Sequence, residues 1–362
     1  MKQGSPLASL TEEKSSKVRF YFLDALRGIA ALWVLLYHAE SGNHITQLSK
    51  LLPDWIVLVV FKWGHLGVSI FFVLSGFVIA HSLRAKKINL TYFSNFTLGR
   101  FIRLSIPYYA SIVLVLCLMV VSSKVKGEAL VLPSLESLLA HLLYLQEILG
   151  LKQINTVYWT LCLEMQFYVI FCLVLGLSQK LDDFKNVNSG RALIFVPVSV
   201  LAALCSLQIF NNHLWSALFL PYWYSFLLGA FAYWSYTNIL KPVYFYFYCA
   251  VLTFISIADQ SLFMFTCVIV ATLFLEVGRT NRLQIWLNWR WLQFLSLISY
   301  SLYLVHNPIT GATFLAGFRL LGHFVWTEVF LLIVTIMVCT LFAWIMWKLV
   351  EKPSIDLSRK VK

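Results

Sequence analysis

His38, Glu164 and His306 are ionisable side chains in stretches that otherwise hold almost only apolar residues. A charge in hydrocarbon costs a few kcal/mol even on lenient scales, so each is a candidate for chemistry. His38 closes the run F-L-D-A-L-R-G-I-A-A-L-W-V-L-L-Y-H, which also carries Asp24 and Arg27. On an α-helix, Arg27 and His38 differ by about 20° in azimuth and about 16 Å in height. Asp24 lies one turn below Arg27 on the same stripe, so all three face the interior of a bundle. An ion pair at the cytoplasmic end explains Asp24 and Arg27 as well as chemistry does. No neighbour on its own helix explains His38.

Glu164 sits in Y-W-T-L-C-L-E-M-Q-F-Y, with Thr160 and Tyr168 on the same helical face. His306 follows S-Y-S-L-Y-L-V in another apolar run. If the Glu164 helix enters from outside and the His306 helix rises from the cytoplasm, both groups reach the outer half, beside His38. A carboxylate near a histidine fixes its tautomer and raises its basicity, as a general base requires. The same trio also suits a proton relay in a transporter, or a polar knot whose members satisfy one another. Arg100 and Arg103 lie one turn apart in F-T-L-G-R-F-I-R-L-S. Paired guanidinium forks suit an anionic ligand such as a nucleotide phosphate, although positive-inside anchoring explains the same pattern. Ser69, Ser75 and Gly76 in G-H-L-G-V-S-I-F-F-V-L-S-G-F read as small residues for close helix approach.

The elements that carry these groups follow from composition. Of 362 residues, 60% are hydrophobic and 12% charged, about half the charged share of a soluble domain. A helix crossing a core about 30 Å thick needs roughly 20 apolar residues. Ten runs qualify: Phe20–His38, His65–Leu83, Ser105–Val121, Trp159–Leu177, Ala192–Phe210, Leu214–Trp234, Pro242–Ala258, Leu262–Glu276, Phe294–Leu315 and Thr327–Leu349. The expected fold is therefore all-α, a polytopic integral membrane bundle over residues 20–350 between terminal tails of residues 1–19 and 351–362. Trp55–Lys62 reads as a short interfacial helix and Ser134–Gly150 as an interfacial or re-entrant one. One set of alternating loops and tails holds 21 Lys and Arg and the other holds 6, which places both termini in the cytoplasm. That asymmetry also accounts for the net charge of +12 without nucleic acid.

These motifs, in this order, closely resemble the series that marks the acyltransferase-3 family. The resemblance extends from Phe20 to the closing E-K-P at Glu351–Pro353. Members are bacterial inner-membrane enzymes that move acyl groups, usually acetyl, from cytoplasmic acyl-CoA to extracytoplasmic sugars. The resemblance implies that Arg27 and His38 are the family's arginine–histidine pair, with His38 the catalytic base, and that Arg27, Arg100 and Arg103 engage the donor. It also assigns Glu164 and His306 to the catalytic group. Met165 departs from the second acidic residue of many members.

The expectation is a multi-pass O-acyltransferase of the bacterial inner membrane, with acetyl-CoA or another acyl-CoA as donor and no metal. Its partners would be a sugar or glycan acceptor and the lipid bilayer. Oligomeric state is open, a homo-oligomer being one option, and so is whether His38 acts as base or takes the acyl group itself. The rival readings are a transporter or flippase of a lipid-linked glycan, and a non-enzymatic partner in glycan assembly.

Overall fold

The computed structural model describes residues 18–185, 189–207 and 218–361, all-helical without a strand among them. The first 17 residues of the expected N-terminal tail, the end of Ala192–Phe210, the start of Leu214–Trp234 and Lys362 lie outside the described residues.

Over the described residues, each of the ten apolar runs carries a helix. The helices are α1 (Tyr21–Ser41), α2 (Gly67–Leu83), α3 (Leu90–Lys126), α4 (Trp159–Lys185), α5 (Gly190–Ser206), α6 (Trp223–Tyr236), α7 (Pro242–Ala258), α8 (Leu262–Arg279), α9 (Arg290–Leu321) and α10 (Val325–Met346). Among the described residues, six helical stretches are long and apolar enough to cross a membrane: Tyr21–Ser41, Asp54–Leu83, Leu90–Lys126, Trp159–Lys185, Leu262–Arg279 and Val325–Arg359. Gly190–Ser206 and Pro242–Ala258 are shorter apolar helices. Helix α9 is long, but Gln293, Ser296, Ser299, Ser301, His306, Asn307 and Thr310 dilute its apolar character.

The surface is inverted relative to that of a soluble protein. Val113, Leu173, Phe254, Ile333, Met337 and Leu341 are exposed, whereas Ser69, Ser111, Ser301, His306 and Thr310 are fully buried. Lipid satisfies such a surface, and helices span it because their backbone polar groups pair internally. All seven cysteines are free, six buried and Cys117 exposed.

Two corrections concern segments outside the ten runs. Trp55–Lys62 is not a separate interfacial helix: Asp54–Ile56, a π turn at Val57–Phe61 and a 3-10 turn at Lys62–Leu66 lead directly into α2. Pro53 starts this helix, and no second proline interrupts it, so its winding changes without a break. The segment after Glu351, expected as a tail, is helical at Lys352–Arg359 and packs against α3.

Helix α1 lies along α9, α9 along α10, and α2 along α6. The α2–α6 crossing is backbone on backbone. A Cβ on Gly76 would collide with the Phe226 carbonyl, and one on Gly229 with that of Val73. Prolines inside α3 and α9 free the carbonyl four residues earlier from its helical partner, and in both helices a side chain captures it. Ser354 donates to the Arg103 carbonyl at 3.3 Å, opposite Pro107. Asn155 donates to the Leu304 carbonyl at 3.4 Å, opposite Pro308.

Candidate functional site

Two cavities occupy the bundle interior. The first, of about 300 Å³, is lined by Arg27 of α1, Ser75 of α2, Arg100 and Arg103 of α3, Glu164 and Tyr168 of α4, and Tyr303 of α9, among others. Helix α3 starts well before its apolar run, capped by the Asn89 side chain accepting from the Tyr92 N–H at 2.8 Å. At 37 residues it is about 55 Å long, nearly twice the hydrocarbon thickness. Its first 14 residues, Leu90–Arg103, carry both arginines and precede the apolar run from Ser105.

The cationic lining is only partly neutralised. Arg27 Nη1 lies 3.3 Å from Asp24 Oδ1, and Arg19 Nε lies 2.8 Å from Asp24 Oδ2. Among the described residues no carboxylate lies within salt-bridge distance of Arg100 or Arg103. The Arg100 guanidinium instead covers the Tyr168 ring at 4.8 Å and the Phe96 ring at 5.4 Å. Two guanidinium groups without a carboxylate partner, facing a cavity, suit a polyanion.

Glu164 belongs to this inner cavity. It accepts from Ser75 Oγ at 2.8 Å and from the Tyr168 hydroxyl. Its expected place beside the histidines is corrected by helix register. Thr160 of α4 bonds Tyr303 of α9 at 2.8 Å, which sets those residues at one depth. Glu164 lies four residues inward of Thr160 and His306 three residues outward of Tyr303, a separation of about 10 Å along the bundle. Depth counted from Trp159 misleads because the preceding Asn155, Val157 and Tyr158 are already buried, so α4 starts below the surface.

The two histidines do meet. Rings of His38 and His306 lie 5.1 Å apart. His306 is fully buried, with Nδ1 at 2.8 Å from the Tyr303 carbonyl and 3.1 Å from that of Leu302. A ring nitrogen between carbonyls must be the N–H donor, which leaves Nε2 as the lone-pair acceptor. Among the described residues Nε2 has no hydrogen-bond partner.

His38 lines the second cavity, of about 470 Å³, together with Tyr37, His65, Trp159, Tyr222, Asp259 and Tyr303. Tyr37 lies 5.0 Å from His38 and 5.5 Å from His65, ring to ring. Aromatic faces with one carboxylate and imidazoles can stack on and hydrogen-bond a polyhydroxylated ligand.

Several contributors escape the sequence reading. Ser75, read as packing, is a hydrogen-bond donor to Glu164. Glu351, placed in the tail, is buried and accepts from Ser301 Oγ at 2.6 Å. Tyr303 lines both cavities, and its position three residues before His306 was the available signal. His65, Asp259 and Tyr222 carry no local pattern.

Residues 20–347 match a family model described as an acyltransferase domain, acyltransferase 3. No curated protein matches the chain. No solved structure matches it either.

Proposed function

Because the chain belongs to the acyltransferase-3 family over residues 20–347, and is thus a multi-pass membrane acyltransferase, we propose that it O-acylates a sugar from cytoplasmic acyl-CoA. Acetyl is the simplest acyl group. The acceptor is a sugar or glycan on the far face of a bacterial inner membrane. The observation that carries this reading is the division of polar groups between two cavities. Arg27, Arg100 and Arg103 line one, and His38 lines the other.

The donor's phosphates bind Arg100 and Arg103, and its pantetheine arm extends along α9. Sugar enters the aromatic outer cavity with a hydroxyl toward His38. The His38 imidazole removes the hydroxyl proton while the oxygen attacks the thioester carbonyl. The C–S bond breaks, and the proton held on imidazole passes to the CoA sulfur. His306 serves as a positioning residue: its free Nε2 lone pair, on a ring 5.1 Å from that of His38, takes up the His38 N–H when substrate draws the two rings together, leaving the other His38 nitrogen basic toward substrate. Glu164 acts on the donor side, orienting the Tyr168 ring beneath Arg100.

The test is purified protein in lipid nanodiscs given radiolabelled acetyl-CoA with and without cell-envelope glycan. Label transfer to glycan with stoichiometric release of CoA thiol supports the reading. Absence of both, with donor and acceptor each shown to bind, overturns it.

A further inference from the structure

The two cavities adjoin. Tyr303 and Val68 line both, and Thr160 faces the inner one. Tyr303 and Thr160 are buried, at 7% and 5% exposure. The Thr160 hydroxyl lies 3.0 Å from the Val157 carbonyl and 2.8 Å from the Tyr303 hydroxyl. The Tyr303 hydroxyl also reaches that carbonyl, at 3.3 Å, so the two hydroxyls bond each other and share one acceptor, closing a link between α4 and α9. The Phe71 ring backs Tyr303 at 5.5 Å. Across the ring, His306 lies 5.8 Å away.

We propose that Tyr303 and Thr160 form a latched wall between donor and acceptor cavities, and that the acyl thioester opens it by replacing their hydrogen bond. The proposal rests on the two-cavity reading of function. A donor anchored at Arg100 approaches His38 from the inner side, and Tyr303 stands at the junction. A neutral hydroxyl pair is a weak tie, because a ligand carbonyl or amide offers an equivalent bond. A bare opening would let water from the outer cavity reach the thioester, giving free acid and CoA thiol. The latch withholds that route until the acyl group fills it.

The test uses a cysteine reporter at Val78, which lines the inner cavity, is partly exposed and makes none of the site's hydrogen bonds. Val78→Cys is placed in a Cys117→Ser background and treated with a membrane-impermeant maleimide. In intact cells the reporter is expected to stay unlabelled behind the native wall and to become labelled when Tyr303→Ala is added. In inverted vesicles it is expected to label in both. That second labelling shows that the variant retains its fold. Tyr303→Phe and Thr160→Val, which keep shape and lose the latch, are expected to raise acceptor-independent CoA release severalfold.

Labelling from outside through the native wall overturns the proposal. So does unchanged labelling in Tyr303→Ala that still labels from the cytoplasmic face, or unchanged CoA release in both conservative variants that still bind donor. A wild-type chain that binds no acyl-CoA sinks the functional reading instead. The labelling result stands apart from that outcome.

Discussion

His38 is the side chain on which the chemistry turns. His38→Gln keeps a hydrogen-bonding amide and loses the proton acceptor. Acceptor acylation is expected to fall by about 10²–10⁴-fold, the usual contribution of a general base, with donor affinity unchanged. Near-normal acylation in cells at matched protein levels would remove His38 from the mechanism. Arg100→Ala with Arg103→Ala is expected to weaken acyl-CoA binding by about 1.5–3 kcal/mol per lost charge-assisted contact; titration in detergent reads this directly, and equal affinity would return the pair to membrane anchoring. Glu164→Gln removes the charge beside Tyr168 and Ser75. It is expected to raise the donor KM more than it lowers kcat. The opposite split would move Glu164 back toward His38.

The helices were easier to read than the contacts between them. Spacing on α1 put Arg27 and His38 on one stripe, and the structure lines a cavity with each. Helical periodicity is a property of one segment, so it survives without knowledge of neighbours. Depth is different. Glu164 sits lower than its place in the apolar run implies, because the buried residues before Trp159 lower the start of α4. Ser75 and Glu351 likewise acquire roles only through partners distant in the chain.

Close approach between helices has a direct test. Gly76→Ala sets a Cβ into the Phe226 carbonyl, so folded protein is expected to be lost. Gly311→Ala meets nothing within 4 Å and is expected to be neutral or stabilising by about 0.5–1 kcal/mol, the helix gain over glycine. Comparable yields of both variants after detergent extraction would contradict the α2–α6 contact. Asn155→Leu strips the partner from the Leu304 carbonyl, which costs about 1–3 kcal/mol for an orphaned buried acceptor. A lower melting temperature is the expected readout.

At the level of the whole molecule, the surplus of basic residues in one set of loops predicts cytoplasmic termini. A C-terminal alkaline phosphatase fusion is expected to be inactive and a C-terminal fluorescent fusion bright; the reverse pair would invert donor and acceptor faces together. The glycine crossings have a mechanical consequence as well. Helices α2 and α6 meet at Gly76 and Gly229, while a Cβ on Gly28 of α1 would lie 2.8 Å from the Ser296 backbone nitrogen in α9. Backbone contacts of this kind have no side chains to shear. They make α2 with α6, and α1 with α9, into stiff panels. Helix α4 joins these panels through side chains, Glu164 to Ser75, Thr160 to Tyr303, and Phe167 stacked on Phe226 at 4.1 Å. His38 and His306 therefore ride on one panel, the α1–α9 pair, and their spacing is set by backbone rather than by side-chain rotamers.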